Sequence, residues 1–192
     1  MTNHLVQGHP LPDHVAGHLA LELCNTKALW GLPAEREYFT SFPVAVLWAR
    51  EHEVISAFEA RQLRAEPPAA QRVTLGQLRS LRFALFHSVT RGDDLAAVHA
   101  FVARAIGRSS YGHDGQLQAP YSAAMITDRC ALAAHRLLED YGPDSVGLCA
   151  SEACGWVFLD PTHRRRWCTM AVCGNRAKAR RFAARSAHGR RP

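Results

Sequence analysis

The cysteines constrain this chain more than any other feature. Four of its six fall within 25 residues as two equally spaced pairs: Cys149-x4-Cys154, thirteen residues, then Cys168-x4-Cys173, with Gly174-Asn175-Arg176 and a basic stretch directly after. Each pair closes a tight turn, and the intervening segment folds back to bring the pairs together, which is what a tetrahedral metal site needs. The expected metal is a single structural Zn2+ held by Cys149, Cys154, Cys168 and Cys173. Four thiolates leave no open position for water or substrate, so such a zinc does no chemistry.

A pair of disulfides is the competing reading, and it requires an oxidising compartment. Met1 to Gly17 carries His4, His9, His14 and Asp13 and lacks an uninterrupted apolar stretch with a basic flank, so it does not read as a signal peptide. No stretch approaches the roughly 18 to 20 apolar residues of a membrane span. The expectation is a cytoplasmic protein with reduced thiols and no membrane partner.

On a regular helix, residues five apart point about 140° away from each other. Cys168 and Cys173 therefore cannot both face one ion from a single helix; Cys173 is expected to open a helix and Cys168 to sit in the turn before it. Trp156 to Leu159 and Arg165 to Trp167 read as two short strands joined by the turn Asp160 to His163. The order knuckle, hairpin, helix is that of a treble-clef-like zinc module.

The string Cys149-x4-Cys154-Gly155-Trp156-x-Phe158-x-Asp160, then Arg165-Arg166-Trp167-Cys168-Thr169-Met170, then Cys173-Gly174-Asn175-Arg176-Ala177-Lys178-Ala179-Arg180 resembles the CGNR zinc-finger family. Members of that family carry an amino-terminal ABATE domain, and Leu19-Ala-Leu-Glu-Leu-Cys-Asn25-Thr26 is similar to its opening segment. The resemblance implies a bacterial stress-induced transcription regulator, with the finger binding DNA and the ABATE domain sensing or regulating. It also implies the same four cysteine ligands. The turn around Pro161 to His163 departs from the family pattern: it is shorter than usual and lacks an Asn-Gly type of turn.

Charge agrees independently. Cys149 to Pro192 holds ten Lys and Arg against two acids, Glu152 and Asp160, while Met1 to Leu148 holds thirteen against fifteen. The overall +6 is thus +8 in the tail and −2 in the rest, an asymmetry that points to a polyanionic partner, nucleic acid first. In a helix from Cys173, Arg176 and Arg180 lie one turn apart, as do Arg181 and Arg185, and Lys178 flanks the second pair. Phe182 and Ala179 are left to face the zinc core. With Arg164, Arg165 and Arg166 these are the candidate DNA contacts, although in an extended strand Arg165 faces away from its two neighbours. Trp167 reads as core, Asn175 as a tie between the metal-binding turn and the helix, and Gly174 as a site of close backbone approach.

The remaining stretch is long enough for its own core and reads as mostly helical: Pro43 to Arg50, Ser56 to Ala65 stopped by Pro67-Pro68, a helix capped by Thr74 and ended by Gly92, and another from Asp93-Asp94 with Leu95, Val98, Val102 and Ile106 inward. Gly115 to Gln118 reads as a short strand. Tyr121 to Asp140 reads as the last helix, with Met125, Ala131, Leu132, His135 and Leu138 near one face. Leu19 to Leu23 reads as a strand. The fold class is α+β: a predominantly helical amino-terminal domain with a small sheet over 1–143, the zinc module over 144–187, and a disordered tail over 188–192, with Ser186 to Pro192 reading as disordered overall.

The chain shows no Gly-rich phosphate loop, no G-x-S-x-G elbow and no H-E-x-x-H, so it is not expected to be an enzyme. His4, His9, His14 and His18 read as a loose tail rather than a metal site because their spacing is irregular. His87 and His135 read as packed boundary residues, Cys24 and Cys130 as buried small residues, and Trp30, Phe39, Phe42 and Trp48 as core. The reading is a DNA-binding regulator whose larger domain takes an unknown small-molecule ligand or mediates assembly, with a homodimer plausible because one finger makes few base contacts. The alternatives are a zinc-dependent protein- or RNA-interaction module and an enzyme housed in the helical domain.

Overall fold

Leu19–Asn25 (α1) is buried from Ala20 onward, and this burial on every side organises the molecule. The computed structural model describes residues 3–93 and 95–188, the last three in backbone only. The short strands Asn3–Val6 (β1) and His9–Pro12 (β2) precede α1, and Lys27–Ala28 (β3) and Arg36–Glu37 (β4) follow it. Helices Phe42–Glu51 (α2), Ala57–Ala65 (α3), Pro68–Arg91 (α4) and Leu95–Arg108 (α5) come next, then Ser110–Tyr111 (β5), Leu117–Gln118 (β6) and Met125–Asp140 (α6). Val146–Leu148 (β7), Val157–Leu159 (β8) and Asn175–His188 (α7) complete the described chain. The strands form four separate antiparallel pairs, β1-β2, β3-β4, β5-β6 and β7-β8. α1 lies against α6, α4 and β8, and α2 packs on both α3 and α4.

The expected strand at Leu19 to Leu23 is thus a helix. A continuous apolar run carries no period that separates a buried strand from a buried helix, and His18, whose Nδ1 accepts the Ala20 N–H at 3.2 Å, caps it as a helix. Ser56 and Glu59 form a reciprocal capping box at α3, and Gly92 ends α4 in the left-handed region at φ 76°. α4 begins at Pro68, earlier than the expected Thr74 cap: a proline is tolerated at a first helical position, where its missing N–H costs nothing. Thr74 instead lies mid-helix and donates to the Ala123 carbonyl at 3.1 Å.

In α5, Val98 and Val102 are buried as expected, together with Ala105, whereas Leu95 and Ile106, also expected inward, are exposed; the expected start at Asp93-Asp94 falls in part on residue 94, outside the described residues. α6 starts at Met125 rather than Tyr121. Phe39, Phe42 and Trp48 are core, and Trp30 stacks on Phe86 with centroids 4.2 Å apart. Burial pushes the Cys24 thiol up and the Cys130 thiol to about 12, so both behave as small apolar groups. No helix is long and apolar enough to cross a membrane among the described residues.

Residues 3–12 are not a loose tail. Gln7 and Gly8, both at positive φ, turn β1 into β2 with Val6 opposite His9, the geometry of a two-residue type I′ hairpin. The end of the chain differs as well: α7 continues through Ser186 to His188, and the rest of the expected disordered tail, residues 189–192, lies outside the described residues.

Burial also tunes Glu22 of α1. Its Oε1 accepts the Ala16 N–H at 2.7 Å, and burial raises its carboxyl to about 7. The native state therefore holds a proton that the unfolded chain releases near 4.5, so this group's stabilising contribution is complete at acid pH and is lost as pH rises toward 7. Glu22→Gln keeps an acceptor for Ala16 but cannot ionise. Its stability relative to the wild type is expected to climb by about 1.4 kcal/mol per pH unit across this window and level off near 3 kcal/mol. Urea midpoints measured for both proteins across the window check this; parallel curves would contradict it.

Candidate metal centre and its basic helix

The segment Cys149 to Cys154 is the turn between β7 and β8. Cys149 N–H donates to the Trp156 carbonyl at 2.8 Å and Cys154 N–H to the Ser151 carbonyl at 2.9 Å. Gly155 follows at φ 70°, where an added Cβ would lie 3.2 Å from the Leu29 backbone nitrogen. The expected hairpin between Trp156-Leu159 and Arg165-Trp167 is absent: Arg165 to Trp167 is not a strand, and β8 pairs with β7 instead. Asp160 explains this. Its carboxylate accepts the N–H groups of Arg164 at 3.1 Å and Arg165 at 2.8 Å, curling the chain into a turn. Gly147 makes the observed pairing feasible, since a Cβ there would lie 2.4 Å from the Phe158 ring.

The second pair meets the first through a widened turn. Met170–Gly174 is a single π-type turn in which Gly174 N–H donates to the Thr169 carbonyl at 3.1 Å, and Cys173 sits on it immediately ahead of α7. Cys168 lies in the bend before this turn, so the two cysteines do not share a regular helix. Gly174 is required there: a Cβ would lie 2.6 Å from the Met170 sulfur and 3.2 Å from Trp167. Asn175 ties this turn to the helix, its Nδ2 donating to the Ala171 carbonyl at 3.0 Å.

All four Sγ atoms lie within 4.8 Å of one another. Cys168 Sγ is 3.6 Å from both Cys154 Sγ and Cys173 Sγ, far beyond the roughly 2.05 Å of a disulfide and close to the roughly 3.8 Å edge of a tetrahedron built on 2.3 Å zinc–sulfur bonds. All four cysteines are buried and unpaired. Crowding splits the protonation of three of them: hydrogen bonds from its neighbours hold the Cys149 thiol far below its usual range, while Cys149 pushes Cys154 up to about 12 and raises Cys168 as well. A dication is what lets four such sulfurs be thiolates together. Residues 146–186 match the family model of the CGNR zinc finger. Four clustered cysteines inside this zinc finger constitute a site for one structural zinc. No curated protein matches the chain.

The zinc finger is built into the rest of the molecule. Its four ligands share one apolar cluster with Trp156 and Phe158 of the finger and with Ala28 and Tyr38 of the amino-terminal region, and Val15 and Trp167 pack on it. The free edge of β8 and the knuckle leading into it are hydrogen-bonded to the amino-terminal region. Leu29 N–H donates to the Cys154 carbonyl at 3.2 Å, and Leu159 N–H to the Ala16 carbonyl at 2.8 Å. Between them the Asn25 amide donates to the Val157 carbonyl at 3.0 Å and accepts the Val157 N–H at 2.9 Å. Fully buried Asn25 thereby stands in for a neighbouring strand. Asn25→Ala strands two buried backbone groups, each worth about 1 to 3 kcal/mol, so a loss of about 2 to 5 kcal/mol in chemical denaturation is expected. A loss below about 0.5 kcal/mol would show that the seam is not a stabilising contact.

The basic residues separate into two groups. Arg165 lies over the Phe158 ring at 4.3 Å and donates to the carbonyls of Leu159 at 3.2 Å, Val15 at 3.1 Å and Cys168 at 2.7 Å. Among the described residues, the ion pairs include none of Arg164, Arg166, Arg176, Lys178, Arg180, Arg181 and Arg185. Arg166 lies over the Trp167 ring at 5.0 Å. A cleft of about 300 Å³ lies between the knuckle and α7, lined by Arg166, Arg176, Arg180, Arg181, Trp167 and Glu152. Phe182, expected on the zinc core, is 67% exposed, and Ala179 is exposed as well. From Lys178 to Arg185 every residue of α7 is exposed, so this helix projects from the finger rather than packing back on it.

Proposed function

We propose that the zinc finger binds duplex DNA through α7 and the adjoining basic cleft, as the DNA-contacting part of a transcription regulator in a reducing, cytoplasmic setting. The observation that carries this is the projecting helix: it contains no acidic residue, and its basic side chains have no internal ion-pair partner among the described residues. Guanidinium groups at successive turns are spaced to meet successive phosphates, and Arg166, Arg176, Arg180 and Arg181 line one cleft beside that helix. Arg165 is excluded from this surface because its donors already serve three carbonyls. Arg164, Arg166, Arg176, Lys178, Arg180, Arg181 and Arg185 form the contact set. Knuckle, turn and helix together support a treble-clef-like arrangement, and the zinc acts as a fixed strut rather than a catalyst.

The amino-terminal region, by its ABATE-like opening segment, takes the role of a sensing or assembly domain. A cavity of about 560 Å³ lined by His18, Leu19, Val54, Leu117, Arg129 and Leu132 gives it room for a small-molecule ligand. A zinc-dependent protein- or RNA-interaction module is the second reading, favoured by exposed Phe182 and Met170 on the finger. The discriminating experiment compares random duplexes of increasing length with single-stranded RNA of matched length. More protein molecules per duplex as it lengthens, with weaker uptake by the single strand, is expected. Preference for the single strand, or no length dependence, would favour the second reading.

A further inference from the structure

The amino-terminal hairpin carries a second cluster of metal-ligating groups, far in sequence from the cysteines. His4 on β1 and His14 just after β2 both direct Nε2 at the Glu51 carboxylate, the last residue of α2: His14 Nε2 is 3.4 Å from Oε1, and His4 Nε2 contacts the same oxygen. One ligand atom from each of the three residues lies within 4.8 Å of the other two. The other nitrogen of His4, Nδ1, is 3.0 Å from Asp13 Oδ1, the carboxylate–imidazole arrangement that fixes the tautomer of a metal-bound histidine. Stacking against the His52 ring, with centroids 3.9 Å apart, holds His14 in place. Glu51 Oε2 is buried and without a hydrogen-bond partner, as is Nε2 of His52 beside it. A buried carboxylate oxygen left unpaired costs free energy, and a cation between the imidazoles and the carboxylate would satisfy it.

We propose that His4, His14 and Glu51 form a second metal site, with Asp13 as the positioning residue, and that it takes a divalent transition metal of the zinc class. Two imidazole nitrogens and one carboxylate oxygen suit such an ion and disfavour magnesium and calcium, which prefer all-oxygen sets. Three protein ligands leave an open position, unlike the closed four-cysteine centre. Occupancy would pin the β1-β2 hairpin to the end of α2. The inference depends on nothing in the DNA reading.

The test counts zinc equivalents bound by the full chain, by equilibrium dialysis with metal analysis, while cysteine modification monitors the finger. Two equivalents are expected for the wild type. His14→Ala, at a half-exposed position, and Glu51→Gln should each bind one, with the four cysteines still protected. His9→Ala, on the exposed side of the same hairpin, should retain two. Asp13→Asn should weaken the second equivalent by about 10- to 100-fold, and excess magnesium should not displace it. A single equivalent in the wild type would overturn the site and leave the cluster as a histidine–carboxylate ion-pair network; two equivalents in His14→Ala would overturn it equally.

Discussion

Cys173→Ser is expected to release the zinc and to lower the thermal midpoint of the entire helical signal, not only to melt the finger. Structural zinc contributes on the order of 10 kcal/mol to a module of this size, and Cys173 is fully buried in the centre. If the finger were an independent domain, its loss would leave the helices of the larger region untouched. The packing argues otherwise. Ala28 and Tyr38 share the cluster that the ligands, Trp156 and Phe158 complete; the edge of β8 is hydrogen-bonded to Ala16 and Asn25, and Cys154 to Leu29. Unfolding the finger bares that face, strands the Asn25 amide and opens a cavity beside Tyr38, at a cost of several kcal/mol to what remains. Thermal melts followed by circular dichroism, with zinc measured in parallel, check this. Zinc loss with an unshifted helical melt would show that the seam carries no coupling.

The second large effect is on DNA. Arg176, Arg180 and Arg181 line the same cleft, and replacing all three with Ala removes three phosphate contacts. Each contact contributes about 0.9 to the slope of log K against log salt, so the slope should flatten by roughly 2.7. At about 0.1 M salt this corresponds to an affinity loss on the order of 100- to 1000-fold. These side chains lie on or beside a projecting helix and serve no internal ion pair among the described residues, so zinc content and the thermal midpoint should hold. Arg165→Ala is the complementary variant: with three carbonyls losing their donor, it should destabilise the fold while leaving the salt slope near that of the wild type. An unchanged slope in the triple variant would move the contact surface elsewhere.

The metal centre was legible because a thiolate site depends on local spacing: two x4 turns and a fixed interval suffice to place Cys149, Cys154, Cys168 and Cys173. The helix beginning at Ser56 and the helix end at Gly92 were legible for the same reason, each residue being a local signal of a helix terminus. What escaped is non-local. Val146-Gly147-Leu148 has no strand signature, and its pairing with β8 follows from Gly147 clearing the Phe158 ring. Asn25 lies 132 residues from the backbone it binds, so nothing near it reveals that role. The continuous apolar run of α1 lacks a period, and Phe182, with the right helical phase to face inward, has no wall to meet because α7 leaves the molecule. The histidines at 4 and 14 looked irregular because their third partner, Glu51, arrives from another helix. The Gln7-Gly8 turn was the one local hint that this segment is a hairpin.

The central claim, a zinc-organised basic helix that binds duplex DNA, is tested most directly by fluorescence anisotropy with a random-sequence duplex across a salt series, before and after zinc removal. The account predicts zinc-dependent binding whose log K falls with log salt by about 0.9 for each of several phosphate contacts. No binding at low salt, or binding that is indifferent to zinc removal, would contradict it.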